Sequence, residues 1–272
     1  MPELPEVETT VKGLKVIINE KINKVQIHTN KLRFNIPFDL KKLLLNKKIS
    51  EIRRIAKYII LDLDSEYSIV IHLGMSGRLK INNLKFKRIK HDHLLLFLTN
   101  KKVLIFNDTR KFGFVDIVKT SNLHKKKYIE TLGIDALSNK LNYRYLRDRI
   151  YKSDVPIKQI LLNQKIISGI GNIYASEILY DAKISPLLLG KQLNINHISQ
   201  LIVSIQKILK RAIKFGGSSI RDYRSTDGTL GNFQSNFRVY GKEGKSIGNY
   251  KIIKIIQYGR STFYCPKIQN NK

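Results

Sequence analysis

The sequence predicts an α+β fold in the order N-terminal helix, antiparallel β-sandwich, linker, helical domain and C-terminal β-hairpin. Three observations predict it. Apolar residues recur at helical spacing straight after Pro5, and short β-rich runs separated by polar or glycine breaks occupy 24–118. A long helical stripe then returns at 198–213, beyond a polar stretch with no period of its own.

In chain order, Val7, Val11, Leu14 and Ile18 share one face of a helix, with Glu6 and Glu8 in its first turn, where the helix dipole favours carboxylates. The β-rich runs follow at 25–29, 58–63, 68–73, 94–98, 103–106 and 114–118, the spacing of an antiparallel sandwich. Helix and sandwich make a first domain over 1–120. Residues 121–142 are polar and Lys-rich and read as a linker. A helical domain over 143–235 carries apolar helical stretches at 157–167 and from Ile173. It also carries the stripe Ile198, Leu201, Ile202, Ile205, Ile208, Leu209, Ala212 and Ile213, stopped by Gly216 and Gly217. A loop at 224–234, rich in residues that tolerate unusual dihedrals, ends it. Two β-like runs, 237–240 and 250–258, then make a hairpin within 236–272.

Charge sets the class of partner. Among 272 residues, 50 Lys and Arg oppose 21 Asp and Glu, a formal net charge of +29. A polyanion suits such a chain, since neutralising phosphates releases condensed counterions. Only 14 of the basic residues are Arg, and A+T-rich coding also accumulates Lys, Asn and Ile, so charge by itself specifies no chemistry. A hydrophobic content of 42% excludes global disorder. No apolar run reaches the roughly 18 residues of a membrane span, and no basic stretch followed by an apolar run marks a secretory signal. The single cysteine, Cys265, excludes an internal disulfide framework and makes the cytoplasm the expected compartment.

The first residues hold a candidate reagent. Removal of Met1 would leave Pro2 as a secondary amine titrating at about 8, against about 10.4 for Lys, so that far more of it is an unprotonated nucleophile near neutrality. Attack on a sugar C1′ gives an iminium if an acid such as Glu3 protonates the ring oxygen. Pro and Glu are equally ordinary helix-start residues, and these positions alone leave both readings open. G-I-G-N at 169–172 allows a tight turn whose following helix aims its N-terminal amides at whatever docks there, an anion site, although Gly and Asn are equally common in any helix-helix turn.

Seven motifs then stand in order along nearly the whole chain: M-P-E-L-P-E-V-E-T (1–9), R-R-I-A-K-Y (53–58), I-H-L-G-M-S-G (71–77), K-H-D-H (90–93), N-D-T-R-K-F-G (107–113), G-I-G-N-I-Y-A-S-E (169–177) and G-R-S-T-F-Y-C-P (259–266). They closely resemble those of the bacterial formamidopyrimidine-DNA glycosylases, which remove oxidised purines and then nick the strand. The resemblance implies that Pro2 is the nucleophile and Glu3 the acid. Lys57 would assist β-elimination, and Arg260 would contact phosphate and serve δ-elimination. It implies a wedge in which Met75 and Phe112 fill the space left by an extruded base and Arg110 bonds the orphaned partner. His91, Lys158 and Asn172 would contact DNA, Asn172 from a helix-two-turn-helix element, and the loop 224–234 would close over the flipped base. The implied partner is double-stranded DNA carrying oxidised purines or abasic sites, bound by a monomer, with no membrane.

One departure matters. That family's terminal hairpin usually holds zinc through two C-x-x-C pairs. Here Y-G-K-E-G runs into K-S-I-G-N-Y without cysteine, Ile268 stands where the last cysteine belongs, and no histidine follows His197. No metal and no cofactor are expected. A zincless finger must then rely on burial of its apolar stretch 250–258, with Ile253 or Ile255 turned inward. The alternatives are an endonuclease VIII-like oxidised-pyrimidine glycosylase, a non-catalytic damaged-DNA-binding relative, and a basic protein without lesion preference. The N-terminal motif with Met75, Arg110 and Phe112 resembles the purine branch. Pro2, Glu3, Lys57 and Arg260 together argue against an idle relative.

Overall fold

A computed structural model describes residues 1–218, 226 and 231–269. The chain divides into two units, one made of Met1–Glu130 and Phe215–Gln234, the other of Thr131–Lys214 and Ser235–Lys272. The first unit opens with α1 (Leu4–Leu14), which buries Leu4, Val7, Val11 and Leu14 on one face. Each such side chain contributes roughly 1.5–3 kcal/mol on full burial. The strands are β1 (Ile22–Ile27), β2 (Ile49–Ile55), β3 (Tyr58–Leu63), β4 (Tyr67–His72), β5 (Arg78–Asn83), β6 (Asp92–Leu98), β7 (Lys102–Asn107) and β8 (Phe114–Lys119), with α2 (Leu40–Leu44) between β1 and β2.

They form two four-stranded antiparallel sheets, ordered β1-β6-β7-β5 and β2-β3-β4-β8. One apolar core joins residues of α1 to both: Leu79, Leu94, Leu96, Leu104 and Phe106 from the first sheet, and Ile52, Ile59, Leu61, Ile69, Ile71 and Val115 from the second. This is the sandwich the sequence predicts. β2 and β5 lie outside the predicted runs because I-S-E-I-R-R-I and R-L-K-I-N-N are half charged or polar. They are strands nonetheless: a register irregularity between Ile49 and Glu51 lets Ile49 and Ile52 both reach the core, which Leu79 of β5 joins.

The segment read as a linker is structured. A short 3-10 turn spans Thr120–Lys125, α3 spans Lys127–Glu130, and Leu123 and Ile129 are buried. Tyr128 donates to Asp116 Oδ2 at 2.8 Å and packs on Tyr58 and Phe114, which ties this stretch to β8. Beyond it β9 (Ile134–Asp135) belongs to the second unit. Sparse apolar residues among lysines conceal such anchoring from any periodicity.

The second unit contains α4 (Tyr143–Ile150), capped by Asn142 Oδ1 accepting Tyr145 N–H at 2.9 Å, α5 (Ile157–Leu162), β10 (Ile167–Ser168) paired in parallel with β9, α6 (Asn172–Asp181) and α7 (Ile195–Lys214). The predicted stripe of α7 is buried at Ile198, Leu201, Ile205, Ile208, Leu209 and Ala212. Two small hairpins end the chain: β11 (Ser246–Ile247) with β12 (Tyr250–Lys251), and β13 (Ile253–Gln257) with β14 (Arg260–Tyr264). The expected strand at 237–240 is absent, because the Glu177 carboxylate takes the N–H groups of Arg238, Val239 and Tyr240 at 2.8, 3.0 and 2.7 Å, leaving no ladder to form.

Candidate active site

At the start of α1, Pro2 and Glu3 are both buried. Glu6, one turn on, is the organising carboxylate. Its Oε2 accepts the Glu3 N–H at 2.8 Å, and its Oε1 accepts the N–H and the hydroxyl of Ser218 at 2.7 and 3.0 Å. Gly217 lies at φ +74, and a Cβ there would stand 2.9 Å from Glu6 Oε1, so glycine is required for conformation and for space. Glu6 thus ties the chain beside Pro2 to Ser218. Of the loop predicted at 224–234, residues 224–225 and 227–230 lie outside the described residues. Thr226 is buried, and its carbonyl accepts the Ile81 N–H at 3.0 Å. Residues 215–234 belong with the sandwich rather than with the helical domain assigned from sequence.

Lys57 is buried in the two-residue turn between β2 and β3, after Ala56 at φ 52. Its neighbours do not form a free basic cluster with it: Arg53 pairs with Asp62 and Arg54 with Glu8 of α1. The turn is held by Arg54, whose guanidinium also donates to the Ala56 carbonyl at 3.0 Å. His72 lies across the β3–β4 register from Tyr58 and stacks on Phe114. Burial, with the Lys57 and Arg33 charges adding, lowers its pKa to about 4. Its Nδ1 accepts the Gly74 N–H at 3.1 Å, which places the ring proton on Nε2.

Two turns carry the large apolar residues of the predicted wedge. Met75 is 39% exposed and Phe112 45%, and the Arg110 guanidinium lies over the Phe112 ring at 4.8 Å. Gly74, at φ +61, allows the turns to touch, since a Cβ there would meet Gly113 N at 2.3 Å. His91 is half-buried at φ 73, edge-on to His93.

In the second unit Gly169, at φ 103, donates its N–H to Gln164 Oε1 at 2.9 Å and turns the chain into α6, which begins at Asn172. Asn172 Nδ2 and Lys158 Nζ both donate to the Ser261 carbonyl at 3.0 Å, and Lys158 also donates to Thr262 Oγ1 at 2.6 Å. Lys158 is 0% exposed. The expected DNA contact from Lys158 is therefore corrected: its ammonium is used inside the unit, holding β14. Arg260 is exposed at the hairpin tip beside the positive-φ pair Tyr258 and Gly259. Of the two residues expected to face inward, Ile255 is half-buried and Ile253 is not. Ile253 is 36% exposed and Ile256 65%, while Ile252, Gln257, Thr262 and Tyr264 are buried. Sequence reasoning missed Glu6 as an anchor, Ser218, Glu177 and the Gln257–Thr262 pair, each of which acts through partners remote in the chain.

This geometry has known counterparts. Two family models match, the formamidopyrimidine-DNA glycosylase N-terminal domain over residues 1–115 and its H2TH domain over 132–224. They define the class, a helix-opened sandwich followed by a helix-two-turn-helix unit. A formamidopyrimidine-DNA glycosylase of Zymomonas mobilis is 44% identical over 271 residues, covering 99% of this chain and 100% of the relative. A Lactococcus lactis Fpg mutant in complex with Fapy-dG-containing DNA superimposes with TM-score 0.92 at 35% identity, over 99% of this chain and 100% of that one. The Lactococcus lactis Fpg with abasic-site DNA gives 0.91 at 35% identity, with the same coverage. The chain belongs to the formamidopyrimidine-DNA glycosylase family.

Proposed function

We infer that this protein is a base-excision repair DNA glycosylase with AP-lyase activity, acting on oxidised purines and abasic sites in double-stranded DNA. The observation that carries the reading is the start of α1, where Pro2 is buried beside Glu3 and the backbone of Glu3 is fixed by Glu6. With Met1 removed, the Pro2 nitrogen attacks C1′. The glycosidic bond breaks, and Glu3 protonates the ring oxygen to leave an iminium. Loss of a C2′ proton then expels the 3′ phosphate, with Lys57 assisting, and a second elimination expels the 5′ phosphate. Met75 and Phe112 fill the vacated stack while Arg110 bonds the orphaned base. His91, Asn172 and Arg260 contact the DNA backbone. The relatives bound to Fapy-dG and abasic-site DNA support this substrate class.

The residues present do not fit the family's zinc. Among the described residues no group of three or more His, Cys, Asp or Glu could hold a metal. The turn after Cys265 is instead closed by Gln269, which accepts the Cys265 N–H and donates to the Ile184 carbonyl, each at 2.9 Å. The finger reads as metal-free, and the protein as a cytosolic monomer; among the described residues no helix is long and apolar enough to cross a membrane. Borohydride trapping on a duplex containing 8-oxoguanine tests the whole reading. The covalent adduct should map to the N-terminal peptide of a protein whose mass shows Met1 removed; an adduct on Lys57, or none, overturns it.

A further inference from the structure

Asp108, in N-D-T-R-K-F-G, takes no part in the chemistry above, yet it is 0% exposed. Its Oδ1 accepts the Ser76 hydroxyl at 2.6 Å and the Arg110 N–H at 3.3 Å, and its Oδ2 accepts the Gly113 N–H at 2.8 Å. Ser76 Oγ in turn accepts the Arg110 N–H at 3.1 Å. The backbone of Asp108 is fixed as well: its carbonyl accepts His93 Nε2 at 2.9 Å, and its N–H donates to the His91 carbonyl at 3.1 Å. One carboxylate therefore binds the residue after Met75 and both ends of the segment from Arg110 to Gly113.

We propose that Asp108 is a positioning residue that locks the Met75 turn and the 110–113 turn into one preformed wedge. The proposal rests on the wedge reading of Met75, Arg110 and Phe112. The buried Asp108 side chain faces three donors: the bonds from the Ser76 hydroxyl and the Gly113 N–H, at 2.6 and 2.8 Å, are short, and the Arg110 N–H is shared between Asp108 Oδ1 and Ser76 Oγ. Holding the backbone of the two turns in place before DNA arrives removes the cost of ordering them from the capture step. Gly113 tightens the cluster, since a Cβ there would stand 3.1 Å from Asp108 Oδ2 and 2.6 Å from the His72 carbonyl.

The test compares Asp108→Asn and the milder Ser76→Ala with Met75→Ala and Arg110→Ala. Two readouts respond to the wedge. One is the fluorescence of 2-aminopurine opposite an abasic-site analogue. The other is the ratio of duplex 8-oxoguanine cleavage to cleavage of single-stranded abasic DNA, which has no orphan base to support. Asp108→Asn should lower the ratio at least about tenfold and suppress the fluorescence change, since one bond to a buried carboxylate is lost and a donor faces a donor. Ser76→Ala should do the same more weakly. In an Arg110→Ala background, Asp108→Asn should add less than about twofold, as expected of residues acting through one unit. Parallel losses on both substrates, or multiplying effects in the double variant, overturn the positioning role. If Met75→Ala and Arg110→Ala leave both readouts intact, the wedge reading fails and the proposal with it. If they alone respond, the proposal fails by itself.

Discussion

Glu6 and Ser218 stand 212 positions apart in the chain, yet the Glu6 carboxylate accepts both the N–H and the hydroxyl of Ser218. Its other oxygen holds the backbone beside Pro2. The backbone beside Pro2 and Ser218 thus share one buried carboxyl group. Glu6→Gln turns an amide donor toward one of these donors and should cost about 1–3 kcal/mol in urea unfolding. It should also reduce borohydride trapping under conditions where the variant is fully folded. Trapping at the unaltered level would restrict Glu6 to a role in stability.

Glu3→Gln separates the two halves of the reaction. Base excision needs a proton at the sugar ring, whereas an abasic site opens without one from the protein. Excision of 8-oxoguanine should fall by about 10²-fold or more, within the range of general acid catalysis. Cleavage at a preformed abasic site should fall far less. Single-turnover kinetics on the two substrates decide it, and equal losses would remove Glu3 from the proton-donor role.

Met75→Ala and Arg110→Ala should weaken capture of lesion duplex about tenfold while changing affinity for undamaged duplex little, because their contacts exist only once a base is extruded. Titrations at one salt concentration check this, since phosphate contacts make any affinity salt-dependent. Equal losses on both duplexes would mark the pair as ordinary surface contacts.

The finger should be indifferent to chelators and sensitive to Lys158. Purified protein should contain no stoichiometric zinc, and EDTA should leave lyase activity unchanged. Lys158→Met removes the bonds to Ser261 and Thr262. Removing a buried charge together with its solvation cost should change stability by only about 2 kcal/mol or less. KM for DNA should nevertheless rise, because the tip that carries Arg260 loses its strut. One equivalent of zinc in the purified protein would refute the metal-free finger.

His72 supplies a pH dependence. Its imidazole, near 6.5 when unfolded, is lowered to about 4 by burial next to Lys57 and Arg33. The folded state therefore favours the neutral ring. The stability this contributes is fully present above about pH 6.5 and is lost as pH falls toward about 4. Urea midpoints should decline over that window, and His72→Gln should make the decline shallower. An identical slope in the variant would assign the decline to other groups.

What the sequence by itself determined is whatever depends on neighbours in the chain. The face of α1, the stripe of α7, the paired β runs and the tight turn before Asn172 follow from periodicity and glycine placement. Tertiary structure alone decided where polar groups find partners. Asp108, Glu6, Glu177 and Lys158 each bind segments remote in sequence, and a buried carboxylate or ammonium looks in the sequence like any surface charge. The hairpin illustrates the reason. Its isoleucines suggested apolar burial, but Ile253 and Ile256 face outward. Lys158 and Asn172 hold the hairpin, with Gln257 bonding Thr262 across it, because a short two-stranded element has too little apolar area to fix itself and must borrow bonds from the helices it meets.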